Sequence, residues 1–127
     1  MELQDKVVVI TGGSGGIGRA MAQAFLKEGA KGICLADLDE TTTKRAAFEL
    51  DPSGERCIGM QCDVTSESDI QALADATKEK FGPIDLFCSN AGAGAGGLLT
   101  EAEDAIWQNQ WELHVMSHLY AARAVLP

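Results

Sequence analysis

The sequence predicts an α/β fold in which a parallel sheet carries helices on both faces. Four short apolar runs, each typical of a buried strand, alternate along the chain with longer amphipathic segments. A glycine cluster follows the first run directly and precedes the first amphipathic segment. Since parallel strands need helical crossovers, this pattern predicts one domain of four β-α units over residues 1–127.

The first unit consists of a strand, a glycine-rich turn and a helix. The strand is predicted over residues 6–10, because positions 7–10 are apolar throughout. The helix follows the glycine cluster, and Gly29 is its expected C-terminal stop. Its expected buried stripe recurs at helical spacing at Ile17, Ala20, Met21, Ala24 and Phe25.

The second unit and the third strand are predicted from the same patterns. A strand is expected over residues 32–36 and a polar helix over residues 40–50, ended by the turn-forming residues 51–54. A third, weaker strand is expected over residues 56–62, where Gly59 interrupts the apolar pattern.

The third helix has clear start and stop signals. Ser66 lies three residues before Asp69, which is the spacing of a capping pair, and Gly82-Pro83 ends the helix. Its buried stripe is expected at Ile70, Leu73, Ala74, Thr77 and Phe81.

The last unit begins with a fourth strand, predicted over residues 84–88. A glycine-rich loop follows over residues 91–97. Thr100 and Glu103 have the spacing of a capping box, which predicts a long helix from there to Leu126.

Length and composition exclude several classes of protein. The 127 residues are 46% hydrophobic and 23% charged, which is typical of a folded globular domain. The net charge of −9 argues against nucleic acid or an anionic membrane as a partner, because both bind basic surfaces. No apolar run approaches the ~20 residues of a membrane span, and no signal-peptide pattern opens the chain, so the cytoplasm is the expected compartment. The four cysteines lack metal-site spacing and are expected to be free thiols.

The sharpest motif is the turn between the first strand and the first helix. It reads Thr11-Gly12-Gly13-Ser14-Gly15-Gly16-Ile17-Gly18. Glycines let the backbone approach a pyrophosphate closely, and the helix N-terminus presents free N–H groups and the positive end of its dipole. A flexible loop is the alternative, but the strand before and the helix after favour the phosphate turn of a Rossmann-type domain.

Asp37 follows the second predicted strand and lies 19 residues after Gly18 (37 − 18). An acid about 20 residues after the glycine motif typically accepts hydrogen bonds from the ribose of NAD. A solvated or capping acid is the alternative interpretation, and Asp39 beside it is a candidate helix cap. No Arg or Lys lies between Leu35 and Thr43 to pair with a 2′-phosphate, so NAD is predicted and NADP is disfavoured.

These features resemble the short-chain dehydrogenase/reductase family. The turn is similar to its TGxxxGxG motif, and Ser89-Asn90-Ala91-Gly92 is similar to its NNAG motif. Cys62-Asp63-Val64 follows the third strand, where the family places an Asp that contacts adenine. A helix cap at Asp63 and an ordinary turn at residues 90–92 are the alternatives. The resemblance covers the whole chain and implies that NAD contacts Thr11, Gly12, Ser14, Gly16, Ile17, Gly18, Asp37, Asp63, Val64, Asn90, Ala91 and Gly92.

One helix departs from the family pattern. His114 lies seven residues after Trp107, where the family has a catalytic Asn. The resemblance implies a place for His114 in proton transfer, and packing on the helix is the alternative. His114 and His118 share a helix face, but no third ligand stands at a recognisable spacing, so no metal site is predicted.

The family's catalytic Ser and its Tyr-x-x-x-Lys motif have no match. Tyr120 is the only tyrosine, and Ala occupies position 124. The resemblance therefore implies the N-terminal cofactor-binding half of an NAD-dependent oxidoreductase that transfers hydride to or from an alcohol or carbonyl. This half, a truncated Rossmann-type sheet, is expected to be inactive alone and to form homo-oligomers. Residues 94–99 are expected to border the substrate pocket.

Two alternatives remain open. A non-catalytic nucleotide-binding or interaction module would carry the same turn without the chemistry. A Rossmann-like methyltransferase fits less well, because the Thr11-Gly12 opening and Asn90-Ala91-Gly92 are typical of the dehydrogenases.

Overall fold

The computed structural model describes residues 1–98 and 100–127. Four strands lie in that part of the chain: β1 (Val7–Thr11), β2 (Gly32–Asp37), β3 (Cys57–Gln61) and β4 (Leu86–Cys88). The helices are α1 (Gly16–Lys27), α2 (Glu40–Leu50), α3 (Glu67–Phe81), α4 (Asp104–Trp111) and α5 (Ser117–Val125). A π-helical segment, Glu112–Met116, joins α4 to α5.

The strands form one parallel sheet in the order β3-β2-β1-β4, which confirms the predicted fold class. β1 is central, and Val9 lies opposite both Cys34 of β2 and Phe87 of β4. The chain moves outward from β1 to β3 and then returns to the other side of β1. Open α/β sheets bind ligands where the strand order reverses, beyond the carboxyl ends of the strands. The topology therefore predicts a ligand crevice after β1 and β4.

Helices cover both faces of the sheet, which explains the unbroken apolar runs of β1 and β2. Val9 and Cys34 pack on one face against α3 and α5. Val8 and Ile33 pack on the other face against α1 and α2. Since successive side chains of a strand point to opposite faces, a strand covered on both sides needs apolar residues throughout. Burying each such side chain stabilises the fold by about 1.5–3 kcal/mol.

Two helices match their sequence signals closely. α2 occupies the predicted residues 40–50, and the Asp39 side chain caps it by accepting from Thr42 N–H at 2.6 Å. The predicted cap of α3 is confirmed, because Ser66 Oγ accepts from Asp69 N–H at 3.3 Å. The predicted stripe of α3 is buried along its whole length at Ile70, Leu73, Ala74, Thr77 and Phe81.

The predicted buried stripe of α1 was correct only in part, since Met21 and Phe25 are half-buried and pack against the core. Ile17, Ala20 and Ala24 are exposed, whereas Gly18 and Ala22 are the buried residues. At the start of the helix, Gly18 packs closely against the preceding turn. Ile17, with an exposed fraction of 71%, faces the crevice instead.

The capping box predicted before the last helix was wrong. Thr100 lies in a turn, and α4 begins only at Asp104, after an N-cap Glu103 whose side chain makes no capping hydrogen bond. The rest of the predicted helix is present as α4, the π-helical segment and α5, ending at Val125. Sequence periodicity did not reveal the π-helical segment, because its i→i+5 hydrogen bonds change the spacing for only five residues.

The strand ends differ by one or two residues from those predicted. β1 runs to Thr11 rather than residue 10, and β4 begins at Leu86 rather than residue 84. Just before β4, the Asp85 carboxylate accepts from Val7 N–H at 2.9 Å, and Asp85 N–H donates to Val7 O at 2.9 Å. Within the described residues, no helix is long and apolar enough to cross a bilayer.

Candidate functional site

An open cleft of about 600 Å³ lies beyond the carboxyl ends of the strands. It occupies the position at which the strand order reverses, between the segments that follow β1 and β4. The fold brings most of the predicted cofactor residues into its wall: Gly12, Gly16, Ile17, Gly18, Asp37, Asp63, Val64, Asn90, Ala91 and Gly92.

The turn after β1 forms one wall, and Gly18 holds it in place. A Cβ on Gly18 would overlap the carbonyl oxygen of Gly12 and lie 2.8 Å from Gly13 Cα. Gly12 itself has a φ of 65°, which favours glycine. The internal packing of the turn therefore accounts for both Gly12 and Gly18.

Gly16 has no such internal explanation. A Cβ built on Gly16 meets no heavy atom within 4 Å among the described residues outside its own neighbourhood, and its φ is not positive. Glycine in a helix costs about 1 kcal/mol relative to alanine. Gly16 is the first residue of α1 and lines the cleft, so the space above it is a cradle that opens onto the helix N-terminus.

Asp37 at the end of β2 faces the cleft while its carboxylate is held by the turn. Its Oδ2 accepts from Ser14 N–H at 3.2 Å and from the Ser14 hydroxyl at 2.5 Å. Its Oδ1 accepts from Leu38 N–H at 2.9 Å. Ser14 was predicted to contact the cofactor, but it is half-buried and does not line the cleft.

Thr11 has a different place from the one predicted, because it is 1% exposed and cannot reach a ligand in the cleft. Its hydroxyl donates to Cys88 O at 3.3 Å and accepts from the N–H groups of Asn90 and Ala91 at 3.0 and 3.1 Å. The Asn90 amide also donates to Thr11 O at 3.0 Å. Thr11 therefore fixes the segment after β4 against the end of β1.

Asp63 and Val64 form the wall beyond β3. Asp63 Oδ1 accepts from Thr65 N–H at 2.9 Å and from the Thr65 hydroxyl at 2.7 Å. Asp63 N–H donates to the Asp69 carboxylate at 3.1 Å, which ties this wall to the cap of α3. Val64 is buried beneath the surface of the cleft.

His114 is exposed and does not line the cleft. Its Nε2 is 3.0 Å from Ala93 O, and because a carbonyl oxygen only accepts, Nε2 carries the proton. A Cβ on Gly92 would lie 2.8 Å from His114 Cε1. The imidazole therefore packs on the loop that lines the cleft. His118 forms a separate contact, with Nδ1 2.6 Å from Ser89 Oγ.

The charge of the cleft limits what can hold an anion there. Its described wall contains the carboxylates Asp37 and Asp63 but no Lys or Arg. A phosphate in the cleft would therefore depend on backbone N–H groups and the α1 dipole. Burial raises the pKa of the Cys62 thiol to about 12, and the Asp69 and Asp63 carboxylates contribute to this rise, so the thiol is protonated and a poor nucleophile.

Several residues of the cleft wall were not predicted from the sequence. Leu38 is 63% exposed beside Asp37, and Asn109 and Leu113 reach the cleft from α4 and the π-helical segment. For Leu38, the available signal was its position directly after Asp37 at the end of β2. Asn109 and Leu113 depend on how the last helix is placed, which the sequence pattern does not reveal.

The expected border of the substrate pocket is only partly described. Residues 94–98 are exposed, and Leu99 lies outside the described residues. Tyr120 packs against the core on the α3 and α5 side of the sheet. In the described ranges, no group of three or more His, Cys, Asp or Glu side chains is placed to hold a metal ion.

Comparisons with known proteins agree with this geometry. Residues 6–127 match the family model described as short chain dehydrogenase. A 2-(S)-hydroxypropyl-CoM dehydrogenase of Xanthobacter autotrophicus is 36% identical over 124 residues, which cover 98% of this chain and 48% of that protein.

Two solved structures are similar to this chain in both fold and sequence. A short-chain dehydrogenase/reductase from Burkholderia phymatum, in complex with NAD, has 39% identity and a TM-score of 0.91, covering 98% of this chain and 44% of that one. L-Sorbose reductase from Gluconobacter frateurii, complexed with NADPH and L-sorbose, has 37% identity and a TM-score of 0.91. The match covers 100% of this chain and 49% of that one. The chain spans about half the length of the relatives that it matches.

Proposed function

The chain belongs to the short-chain dehydrogenase family, and from that premise we propose that it is the cofactor-binding part of an NAD-dependent oxidoreductase. When bound, the nicotinamide ring would donate hydride to a carbonyl or accept it from an alcohol. The residues of this chain would bind and orient the dinucleotide, and the rest of the protein would complete the substrate pocket.

The open space above Gly16 is the observation that carries this proposal. Nothing in the described fold requires a glycine there, yet a helix begins with one at the wall of the cleft. A pyrophosphate needs such a position, since bare backbone lets its oxygens approach the free N–H groups of the first helical turn. The lack of a basic side chain in the described wall fits binding by backbone alone.

The remaining walls fit the rest of a dinucleotide. Asp37 presents a carboxylate for ribose hydroxyls, and Asp63 with Val64 offers a polar and an apolar surface for adenine. Asn90, Ala91 and Gly92 line the cleft on the β4 side, where Thr11 and His114 hold them in place.

We assign NAD rather than NADP as the cofactor. A 2′-phosphate would meet the Asp37 carboxylate, and no cation of the described wall would compensate its charge. The two structural neighbours hold NAD and NADPH respectively, so this choice depends on the residues of the present chain.

His114 would serve the site by holding the 92–93 loop. Its Nε2 proton is engaged by Ala93 O, which leaves Nδ1 as the nitrogen available for proton transfer. The sequence holds no Tyr-x-x-x-Lys motif, so we expect the 127-residue chain to bind NAD without turnover.

A second copy of the chain is the proposed partner of the last helix. Trp107, Trp111, Val115 and Leu119 recur every four residues and are 41–54% exposed. Such a row of large apolar side chains favours association between subunits. Sedimentation of the chain at rising concentration would show whether it dimerises.

Replacing Gly16 tests the proposed function. Gly16→Val should weaken NAD binding at least about tenfold in calorimetry, because its side chain would fill the phosphate cradle. Ala20→Val is the matched control, since Ala20 is exposed on the same helix and does not line the cleft. Equal NAD affinity in the Gly16→Val and wild-type chains would show that the turn does not bind phosphate.

A further inference from the structure

A serine and a histidine outside the cleft form a close pair directly after β4. Ser89 Oγ lies 2.6 Å from Nδ1 of His118, a residue of α5. In the imidazole tautomer that is protonated at Nε2, the Ser89 hydroxyl donates its hydrogen bond to Nδ1. Ser89 is half-buried and His118 is exposed. In that tautomer a base is in contact with the serine hydroxyl and can accept its proton.

Both side chains line a groove of about 360 Å³ between β4 and α5. The groove shares no wall residue with the cleft. Apart from this pair its wall is mostly apolar and includes Phe87, Ala122 and Val125. An apolar groove with a few polar groups at one place suits a ligand that has an apolar chain and one reactive polar group.

The backbone of Ser89 adds a hydrogen-bond donor to the pair. Among the described residues its N–H group makes no hydrogen bond, whereas the N–H groups of Asn90 and Ala91 both donate to the Thr11 hydroxyl. An N–H group beside a nucleophilic oxygen stabilises the negative charge that develops on a carbonyl oxygen under attack. Within the same part of the chain, Ser89 is the one hydrogen-bond partner of the His118 ring. The pair is therefore a dyad, without the carboxylate of a catalytic triad.

We propose that Ser89 is an acylation site for activated esters, with His118 as the base and the groove holding the acyl chain. Ser89 Oγ attacks the ester carbonyl carbon while its proton passes to His118 Nδ1, and the Ser89 N–H group donates to the carbonyl oxygen. The bond between the carbonyl carbon and the leaving alcohol then breaks, and the alcohol takes the proton from the imidazole. An ester of Ser89 remains, and nothing is oxidised or reduced. This inference is independent of the proposed function, because neither residue lines the cleft.

The 127-residue chain and p-nitrophenyl butyrate test the inference. We expect an initial release of p-nitrophenolate and the transfer of a butyryl group to the chain, seen by intact mass spectrometry. Peptide mapping should locate that group on Ser89. Ser53 is the internal control, since its hydroxyl donates to the Asp51 carboxylate at 2.6 Å and not to an imidazole.

Replacing His118 tests its part as the base. His118→Gln should slow the labelling of Ser89 about a hundredfold, because an amide can accept a hydrogen bond but does not take up the proton. Arg123→Gln is the matched control and should leave the labelling rate unchanged. Arg123 is exposed on the same helix, pairs with Glu67 and does not line the groove. Circular dichroism of both variants measures whether the fold is retained.

Filling the groove tests where the acyl chain lies. Ala122 is half-buried in the groove wall, and Ala122→Phe would occupy its space. The ratio of the labelling rates with p-nitrophenyl butyrate and p-nitrophenyl acetate cancels effects that are common to both esters. We expect this ratio to fall about tenfold in Ala122→Phe, because the longer chain loses the burial of its extra methylene groups. An unchanged ratio would contradict binding of the chain in the groove.

The remaining outcomes are distinguishable. Butyryl groups found only on lysines or on His118 would overturn the inference, and so would equal labelling of Ser89 in the wild-type and His118→Gln chains. An undiminished initial release of p-nitrophenolate in Ser89→Ala would also overturn it. NAD binding without acylation of Ser89 would refute this inference alone, whereas acylation of Ser89 without NAD binding would refute the proposed function alone.

Discussion

The two edges of the sheet carry the same residue types and use them differently. At the amino ends of the strands, Asp85 accepts from Val7 N–H and pairs with Lys6 at 3.2 Å. At the carboxyl ends, Asp37 is also held by the chain but faces an open cleft.

Glycines show the same contrast between the edges. Gly32 begins β2, and a Cβ there would overlap the Phe81 ring, so the packing of α3 on the sheet explains it. Gly16 at the other edge has free space above it. A glycine therefore indicates function where no internal contact explains it, and an acid indicates function where it also lines an open cleft.

The largest effect that separates structure from function is expected at Gly18. Gly18→Ala should destabilise the chain by about 3 kcal/mol, because its Cβ would overlap the backbone of the preceding turn. Gly16→Ala should leave the unfolding temperature unchanged or raise it, since alanine favours the helix. Thermal unfolding followed by circular dichroism measures both. Similar losses of stability in the two variants would mean that Gly16, like Gly18, is required by the packing of the turn.

A second test sharpens the contrast within the carboxyl edge, at the contact between Gly92 and His114. Gly92→Ala should cost about 1–2 kcal/mol of stability, because the new methyl group would crowd the imidazole. Combined with His114→Ala, the same change should cost much less. A double-mutant cycle by urea unfolding gives the coupling energy. Additive losses of stability in the two single variants and the double variant would mean that the His114 ring does not support the loop at Gly92.

Paired aspartate substitutions compare the two edges directly. Asp85→Asn should lower stability by about 1 kcal/mol, since solvent screens an exposed carboxylate, and should leave NAD binding unchanged. Asp37→Asn should lower stability by a similar amount, because its carboxylate also accepts hydrogen bonds within the chain, and should in addition weaken NAD binding. Urea denaturation and calorimetry on both variants measure these effects. A loss of NAD affinity in Asp85→Asn would contradict a purely structural role for the amino edge of the sheet.

The smallest effect is a pH dependence at the amino edge. Hydrogen bonds from Ser53, and from Arg56 and Cys57 N–H, hold the pKa of Asp51 below its ordinary value of 3.8. A lowered pKa in the fold adds stability above pH 3.8 that disappears as the pH falls through the folded value. The difference in unfolding temperature between wild type and Asp51→Asn should therefore be seen at pH 7 and shrink below pH 3.8. If the difference in unfolding temperature persists at lower pH, the lost stability comes from packing rather than from the charge of Asp51.

The sequence by itself determined the features that depend on local pattern. Apolar runs located the four strands, and Ser66 and Asp39 marked the starts of α3 and α2. The glycine turn and Asp37 identified the edge that carries the cleft, because the carboxyl ends of parallel strands meet there.

Tertiary structure decided what depends on contacts between distant residues. It turned Ile17 into the cleft, buried Thr11 between the ends of β1 and β4, and placed Ser14 on Asp37, 23 positions away. It also moved the start of α4 from Thr100 to Asp104. Helical periodicity gives the spacing of a stripe but not the neighbour it faces, and that neighbour is chosen when the elements pack together.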